Sequence, residues 1–325
     1  RFVPILRHKA YISALRNRII EVARDCNAEL IHAHSPAGNG IAAALAAKTL
    51  RLPWVYELRY YEQDAAVDSG RSRYDSWRYQ WARWREERVI RSSDMTITNS
   101  VSMRNELIGR GLGSHRLVEV PEGVDARIFS PQEPDAELIS RHQLNRRTVI
   151  GFIGSFYRYE GLERLVEATI RLLRERRDVA LVLAGAGEME GQLRARVPKE
   201  WADHFIFTGK IEQEDILRYY SIMDICVYPR HSTRMTELTT SIRPLEAMAM
   251  EKLVVASPQA LEGITAIPGI ELFVADGAEA YIDHVISLLE NPRMEPGKAA
   301  RRRVIEDYNW DKNLSRIDRL LQVSS

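Results

Sequence analysis

The residues best suited to chemistry lie in the segment TTSIRPLEAMAM, residues 239–250. Pro244 suits the first turn of a helix, because the amide that proline lacks has no intrahelical partner there. The backbone amides of residues 241–243 then lie at the positive end of the helix dipole, which binds phosphate well. Arg243 adds a full positive charge, and the Glu246 carboxylate can accept hydrogen bonds from two adjacent ribose hydroxyls. The alternative is a well-capped helix without a ligand.

Motifs for other chemistries are missing from the sequence. It contains no G-x-G-x-x-G turn after a strand, P-loop, H-E-x-x-H, G-x-S-x-G or Asp-x-Asp pair. The glycines Gly185 and Gly187 alone are a weak signal for dinucleotide binding. His32 and His34 end a predicted strand, and we expect their side chains on opposite faces of it. Because that geometry is poor for one metal ion, we expect one buried histidine, one histidine that lines a cleft, and no metal.

Composition and charge narrow the class of protein. The 325 residues suggest two domains. A formal net charge of +1 gives no support to a nucleic-acid binder, whose affinity needs a basic surface. The two cysteines, Cys26 and Cys226, exclude a disulfide framework and a cysteine-based zinc site. With no signal peptide and no apolar run near the roughly 20 residues that span a bilayer, we expect a cytoplasmic protein.

Strand and helix patterns alternate along both halves of the chain. In the first half, strand signals at 28–32 and 53–58 flank a helix of small residues at 40–50. The second half repeats this order more clearly between 149 and 256, after a charged stretch at 130–147 that lacks periodicity. This order predicts an α/β protein with two doubly wound parallel sheets. We expect a ligand in the crevice between the domains, at the carboxyl ends of strands.

A helix rich in tryptophan is predicted within residues 74–91. Trp77, Trp81 and Trp84 fall on one helical face, among several arginines. The preferred interpretation is a helix that packs its tryptophans on the sheet, because an apolar stripe at helical spacing is normally core. The alternative is a membrane-surface or lipid-acceptor face, because indole and guanidinium groups suit the headgroup layer.

Nine stretches of sequence carry a resemblance in their order and spacing. They are LIHAHSP from Leu30, PWVYELRYYEQDAAVD from Pro53, VPEGVD from Val120, GFIGSFYRYEGL from Gly151, LVLAGAGEMEGQL from Leu181, FTGKI from Phe207, YYSIMDICVYPR from Tyr219, RMTELTTSIRPLEAMAM from Arg234 and EDYNWDKNLSRIDRL from Glu306. Together they resemble a GT-B fold glycosyltransferase of family 4, in detail the branch associated with exosortase A (PEP-CTERM) exopolysaccharide clusters.

The resemblance implies a domain organisation. Residues 1–135 correspond to an acceptor-side Rossmann-like domain that lacks its first strands, so the N-terminus looks truncated. Residues 145–305 correspond to the nucleotide-sugar-binding domain. Residues 306–325 correspond to a helix that crosses back to the first domain.

The resemblance also implies an activity. Such an enzyme moves a sugar from a nucleotide-sugar donor to a glycan or lipid-linked acceptor, with retention at the anomeric carbon and without a metal or cofactor. The place of action implied is the cytoplasm, at the inner face of the plasma membrane, in exopolysaccharide biosynthesis. A non-catalytic sugar-nucleotide-binding scaffold and a sugar-nucleotide epimerase of the same architecture remain as alternatives.

The site residues implied by the resemblance depart from the family pattern. Glu246 matches the second acid of an E-x7-E element, but Leu238 occupies the first position and Glu237 lies one residue earlier. Glu237 either replaces that acid, if the loop bulges, or is solvated. The loop after the first strand of the second domain has Ser155 and Glu160 where an arginine and a lysine usually bind diphosphate.

Replacements for those lost charges are therefore needed. We expect Arg243 to supply the positive charge that binds the diphosphate, with helpers among other arginines. Arg59 stands where the family often has a histidine near the transferred sugar. The predicted catalytic residues are Arg59, Glu237 and Arg243. The predicted donor-binding residues are Gly154, Ser155, Arg158, Arg234, Thr240, Ser241, Ile242, Arg243 and Glu246, with Arg230 as a further helper. His34 is predicted on the acceptor side.

Overall fold

A computed structural model describes residues 3–291 and 295–317, with side chains from residue 8 onward. The chain divides into two compact units, Arg1–Pro121 with Leu314–Ser325, and Glu122–Asn313. Each unit contains one parallel sheet with helices connecting its strands. This architecture confirms the predicted α/β class with two Rossmann-like domains.

Unit 1 contains a four-stranded parallel sheet in the order β1-β2-β3-β4. Its elements are α1 (Val3–Asp25), β1 (Ile31–His34), α2 (Ala37–Leu50), β2 (Trp54–Leu58), α3 (Glu62–Asp68), α4 (Trp77–Ser92), β3 (Met95–Thr98), α5 (Val101–Gly109) and β4 (Leu117–Glu119). Side chains of β1 alternate, with Ile31 and Ala33 buried and the two histidines exposed. One face of β1 is therefore core, and the other carries polar groups.

The preferred interpretation of α4 was wrong. The side chains of Trp77, Trp81 and Trp84 are 72%, 48% and 53% exposed, and the helix instead buries a face that includes Tyr79 and Val89. Each of the three indoles is covered by an arginine guanidinium, at 4.5 to 5.7 Å from the ring centroid. The three tryptophans do share one face of the helix, as their spacing predicted. The helix is oriented so that this face points outward.

Unit 2 contains a six-stranded parallel sheet in the order β10-β9-β8-β5-β6-β7. Its elements are α6 (Ala136–Arg141), β5 (Thr148–Ile153), α7 (Leu162–Leu173), β6 (Val179–Ala184), α8 (Glu190–Arg196), β7 (Phe205–Phe207), α9 (Ile216–Ser221), β8 (Ile225–Tyr228), α10 (Ile242–Ala249), β9 (Leu253–Ala256), β10 (Phe273–Val274), α11 (Ala278–Glu290), α12 (Glu295–Asp307) and α13 (Trp310–Leu314). Every residue of β6 is fully buried, as expected for a parallel strand covered on both faces.

The loops that follow β5 and β6 lie against each other at the carboxyl end of this sheet. Gly185 has φ +142°, and a Cβ there would lie 1.9 Å from the carbonyl oxygen of Gly154. A Cβ at Gly187 would lie 2.6 Å from the amide nitrogen of Phe156. Close packing of two loops therefore explains the glycine pair that was a weak dinucleotide signal.

The last helices of unit 2 return to its beginning. The Val124 amide donates to the Tyr308 carbonyl, and the Asn313 side chain donates to the Glu122 carbonyl. The chain from Leu314 belongs to unit 1, where Ile317 packs on the apolar cluster of Val55, Ile97 and Val120. Residues 318–325 of the predicted crossing helix lie outside the described residues.

Candidate functional site

The helix start predicted from the sequence is present in unit 2. Helix α10 begins at Ile242, with Ser241 as N-cap residue in an extended conformation and Pro244 in the first turn. The Ser241 side chain accepts no capping hydrogen bond from the described part of the helix. The first-turn amides of α10 therefore lack the side-chain cap that would favour the alternative of a ligand-free helix.

Arg243 and Glu246 form an ion pair on this first turn. Nη1 of Arg243 lies 3.0 and 2.7 Å from the two carboxylate oxygens of Glu246. The Tyr220 hydroxyl donates to Glu246 Oε2 at 3.0 Å, and Glu246 is only 5% exposed. Burial raises the pKa of Glu246, against the opposite effects of Arg243 and of the Tyr220 hydrogen bond. The Arg243 side chain is 35% exposed, so the guanidinium is the accessible member of the pair.

This ion pair bears on both predicted roles. Arg243 lies on the first turn of α10, the part of the helix where a phosphate site would form, and its guanidinium contacts Glu246. The Glu246 carboxylate is shared between Arg243 and Tyr220, so a ribose would have to use its remaining lone pairs or displace Arg243. The predicted roles of Arg243, Glu246, Ile242 and Ser241 stay predictions.

A second ion pair lies beside the loop that follows β5. Arg230 donates from Nε and Nη2 to Glu160 at 3.2 and 3.1 Å, and both side chains are nearly buried. Among the described residues, Nη1 of Arg230 is buried without a hydrogen-bond partner. Glu160 stands where the resemblance predicts a lysine, and here it pairs with the positive charge of Arg230. In the same loop, Ser155 and Arg158 are exposed.

The loop before α10 holds the remaining predicted donor-side residues. Glu237 is exposed and accepts a hydrogen bond from the Ser232 hydroxyl, whereas Leu238 is buried. The solvated alternative therefore fits the Glu237 side chain. Arg234 and Thr240 are half-buried, and a Cβ on Gly263 would lie 2.2 Å from the Thr240 hydroxyl oxygen.

The expectation for the histidines of unit 1 was wrong. His32 and His34 lie on the same face of β1, with their rings stacked at 4.7 Å, because residues two apart in a strand share a face. Both approach Glu57 on β2, with His32 Nε2 at 3.1 Å from Oε2 and His34 Nδ1 at 3.3 Å from Oε1. Neither histidine is buried, so the predicted division into one buried and one exposed residue also fails.

Arg59 lies at the end of β2 beside this cluster. Its Nε is 3.6 Å from Glu57 Oε1, and its side chain is 48% exposed. The pKa of Glu57 is lowered: burial by itself would raise it, and His32, His34 and Arg59 together outweigh burial. The structure thus brings two predicted residues of unit 1, His34 and Arg59, to one carboxylate.

Sequence reasoning missed or undervalued several polar groups, which are Glu57, the pair of Glu160 and Arg230, and Tyr220. No local sequence signal marked Glu57, whose contact with His34 follows from the parallel pairing of β1 and β2, in which the two residues are in register. No local signal existed for Tyr220, which reaches Glu246 from a different helix, 26 residues away in sequence.

Comparison with known families agrees with this architecture. The family described as Glycosyltransferase Family 4 matches residues 1–128, and the family described as Glycosyl transferases group 1 matches residues 147–291. The chain therefore contains one glycosyltransferase domain of each of these two families. These two domains correspond to the two sheets described above. No helix within the described residues is both long and apolar enough to cross a bilayer.

Two relatives come from Corynebacterium glutamicum. A GDP-mannose-dependent monoacylated alpha-(1-6)-phosphatidylinositol monomannoside mannosyltransferase is 28% identical over 65% of this chain and 57% of its own length. A GDP-mannose-dependent alpha-mannosyltransferase is 26% identical over 90% of this chain and 67% of its own length. The chain thus spans less than two thirds of the first relative.

The crystal structure of Anabaena HepE with UDP-glucose superposes with a TM-score of 0.77 at 17% identity, covering 95% of this chain and 82% of that one. This likeness confirms the GT-B fold.

Proposed function

We propose that this chain is a retaining, metal-independent glycosyltransferase that moves a sugar from a nucleotide-sugar donor to a glycan or lipid-linked acceptor. The observation that carries the proposal is the start of α10, where Arg243 and uncapped first-turn amides gather in a glycosyltransferase group 1 domain. A helix start with an added guanidinium suits a diphosphate.

The chemistry of sugar transfer explains why the reaction needs positive charge beside the diphosphate. A sugar nucleotide reacts by loss of its diphosphate through an oxocarbenium-like transition state, so negative charge grows on the leaving group. Without a metal, fixed amides and guanidinium groups must stabilise that charge. Arg243 and the neighbouring amides offer such donors, and removal of one donor of this kind typically costs on the order of 3 kcal/mol in the barrier.

Arg230 is the best supported helper among the arginines predicted for the diphosphate. Its guanidinium is held by Glu160 and retains a buried donor, Nη1, without a partner among the described residues. A donor fixed in advance costs little reorganisation when charge develops. The exposed Arg158 is not fixed in this way.

The names of the relatives guide the choice of donor. Both Corynebacterium proteins are GDP-mannose-dependent, so GDP-mannose is the donor we propose first, ahead of UDP-glucose. The resemblance to the exosortase-associated branch supports a role in exopolysaccharide biosynthesis.

We also propose a lipid-linked acceptor and action at the inner face of the plasma membrane. The outward tryptophans of α4, each paired with an arginine, suit the headgroup layer of an anionic bilayer. Beside them, a groove of about 380 Å³ between α2 and α4 is lined by Ile41, Leu45, Trp84 and two arginines. The combination of apolar side chains and two arginines suits a lipid carrying a phosphate.

The non-catalytic alternative also has an observation in its favour. Arg243 is neutralised by Glu246, and Arg230 by Glu160, so two of the proposed phosphate ligands already have carboxylate partners. A scaffold that binds nucleotide sugars without turnover would tolerate this arrangement. Binding and turnover must therefore be measured separately.

The test combines calorimetric titration of GDP-mannose and UDP-glucose with turnover on a lipid-linked acceptor. The parent chain should bind one donor, and at 100 times the dissociation constant that donor should add about 2.7 kcal/mol of stability.

Arg243→Ala should lower kcat far more than donor affinity, because leaving-group charge grows in the transition state. Arg243→Lys keeps a positive charge and should retain part of the kcat. Equal kcat in Arg243→Ala and parent would remove Arg243 from the mechanism. Donor binding without turnover in the parent would support the scaffold.

A further inference from the structure

Three side chains of unit 1 bring metal-ligating atoms close together. One ring nitrogen from each of His32 and His34 and one carboxylate oxygen of Glu57 all lie within 4.8 Å of one another. They come from adjacent strands, and His34 pairs in register with Glu57. All three residues belong to unit 1, whereas the residues proposed to bind the donor diphosphate belong to unit 2.

The backbone that carries these ligands is tied together at the strand ends. The Ser35 amide donates to the Glu57 carbonyl at 2.9 Å, and the Arg59 amide donates to the Ser35 hydroxyl at 3.1 Å. The Asn99 side chain in turn donates to the Arg59 carbonyl at 3.3 Å. Ligands on strands held in this way are positioned more accurately than ligands on a loop.

The side chains themselves can close around an ion. Zn²⁺ binds imidazole nitrogen at about 2.0–2.1 Å and carboxylate oxygen at about 2.0–2.2 Å, so the three atoms, which lie within 4.8 Å of one another, must move closer together around the ion. The side chains of His32 and His34 are 35% and 49% exposed, so rotation of each ring meets little resistance. Glu57 is less exposed, at 19%, and its oxygens already face the two rings.

We propose that His32, His34 and Glu57 form a binding site for a divalent transition-metal ion of the Zn²⁺ class. Two imidazoles and one carboxylate favour Zn²⁺, Co²⁺ or Ni²⁺ over Mg²⁺ or Ca²⁺, which prefer oxygen ligands alone. Three protein ligands leave a fourth position open for water or for an oxygen of a bound molecule. The ion would exchange with solvent, because two of its ligands are partly exposed.

The same geometry also suits a hydrogen-bonded cluster without metal. In that arrangement both imidazoles donate to Glu57, and Arg59 Nε, at 3.6 Å from Oε1, adds a positive charge. Replacing Arg59 distinguishes a metal site from a hydrogen-bonded cluster without metal. A guanidinium repels a divalent ion, so its removal should strengthen metal binding, whereas it should only loosen a hydrogen-bonded cluster.

The experiment is a calorimetric titration of the full chain with Zn²⁺, repeated with Co²⁺ and recorded by its visible absorption. A Cys26→Ser background removes the exposed thiol, which is a competing zinc ligand. We expect one Zn²⁺ per chain. His32→Ala, His34→Ala and Glu57→Gln should each weaken binding by about tenfold or more, and Arg59→Ala should strengthen it.

A matched control comes from another histidine–glutamate pair. His231 contacts Glu163 in unit 2, and among the residues that the structure describes no third ligand completes a metal-binding group there, so His231→Ala should leave zinc binding unchanged. Glu57→Gln preserves side-chain size, and circular dichroism checks that each variant is folded. The absence of stoichiometric binding, or binding that survives both Glu57→Gln and the double variant His32→Ala/His34→Ala, would overturn the proposal.

Discussion

At the scale of single residues, carboxylates decide how much positive charge this protein can offer a ligand. Glu246 holds Arg243, and Glu160 holds Arg230, with hydrogen bonds of 2.7 to 3.2 Å. A buried carboxylate that loses its partner is costly, so these pairs also fix the positions of the arginines. The two guanidinium groups are therefore held in place by Glu246 and Glu160. In the sequence, these two acids were visible only as positions of a motif.

Donor affinity should depend on Glu246 more than on Glu237. If Glu246 contacts the ribose, Glu246→Gln exchanges a charged acceptor for a neutral one, and we expect donor affinity to fall by about tenfold. Glu237→Gln alters an exposed carboxylate and serves as the comparison. Isothermal titration with the donor measures both variants. Unchanged affinity in Glu246→Gln would count against the ribose contact, and a larger loss in Glu237→Gln would move that role to Glu237.

At the scale of elements, helix α4 shows how burial and polarity are distributed within unit 1. Its inner face carries Glu86, which is 1% exposed and accepts a hydrogen bond from the Tyr56 hydroxyl. The backbone of Ala37, at the start of α2, also donates to this carboxylate. Burial raises the pKa of Glu86 to about 7 despite these hydrogen bonds.

This raised pKa predicts a pH-dependent stability of unit 1. Folded Glu86 binds its proton more tightly than unfolded Glu86, so its contribution is fully present below the unfolded pKa of about 4.5 and is lost as pH rises through about 7. This difference between the folded and unfolded pKa of Glu86 corresponds to roughly 3 kcal/mol of stability. Glu86→Gln should remove this slope, so that the variant gains stability over the parent between pH 5 and pH 8.

Urea unfolding followed by tryptophan fluorescence measures the effect, because four of the six tryptophans lie in unit 1. Glu87→Gln is the control, since the neighbouring Glu87 pairs with Arg91 near the surface and should leave the slope unchanged. Parallel slopes for Glu86→Gln and the parent would refute the prediction.

At the scale of the whole molecule, net charge conceals local charge. The chain carries a formal charge of only +1, yet α4 presents three arginines over three exposed indoles. Near an anionic bilayer each arginine contributes about 1 kcal/mol, and the indoles add affinity for the headgroup layer. A protein of balanced composition can therefore still have one surface suited to a membrane.

Vesicle binding tests this surface. We expect the chain to bind vesicles containing phosphatidylglycerol more tightly than vesicles of phosphatidylcholine, with affinity that falls as salt rises. The triple variant Trp77→Ala/Trp81→Ala/Trp84→Ala should weaken binding by about tenfold or more. Arg177→Gln, which removes the guanidinium over Trp201 in unit 2, is the matched control. Equal binding of the triple variant and the parent, or no preference for anionic lipid, would contradict the proposed membrane surface.

The sequence alone determined the fold class and the position of its main helix start. Alternating strand and helix patterns predicted two parallel sheets, and Pro244 marked the first turn of α10, which begins at Ile242. The strand predicted at 28–32 ends instead at His34, because sequence pattern is weakest at element ends. These features are local, since propensity and periodicity act over a few neighbouring residues.

Which side chains meet, and which helix faces point outward, depends on how distant segments pack together. Periodicity identified the stripe of α4 but not its rotation, which depends on what α2 and the sheet offer for packing. The partnership of Tyr220 with Glu246, and of Glu57 with two histidines, joins residues that are 23 to 26 positions apart. Contacts of this kind arise from strand register and helix docking, and these depend on the packing free energy of the whole domain.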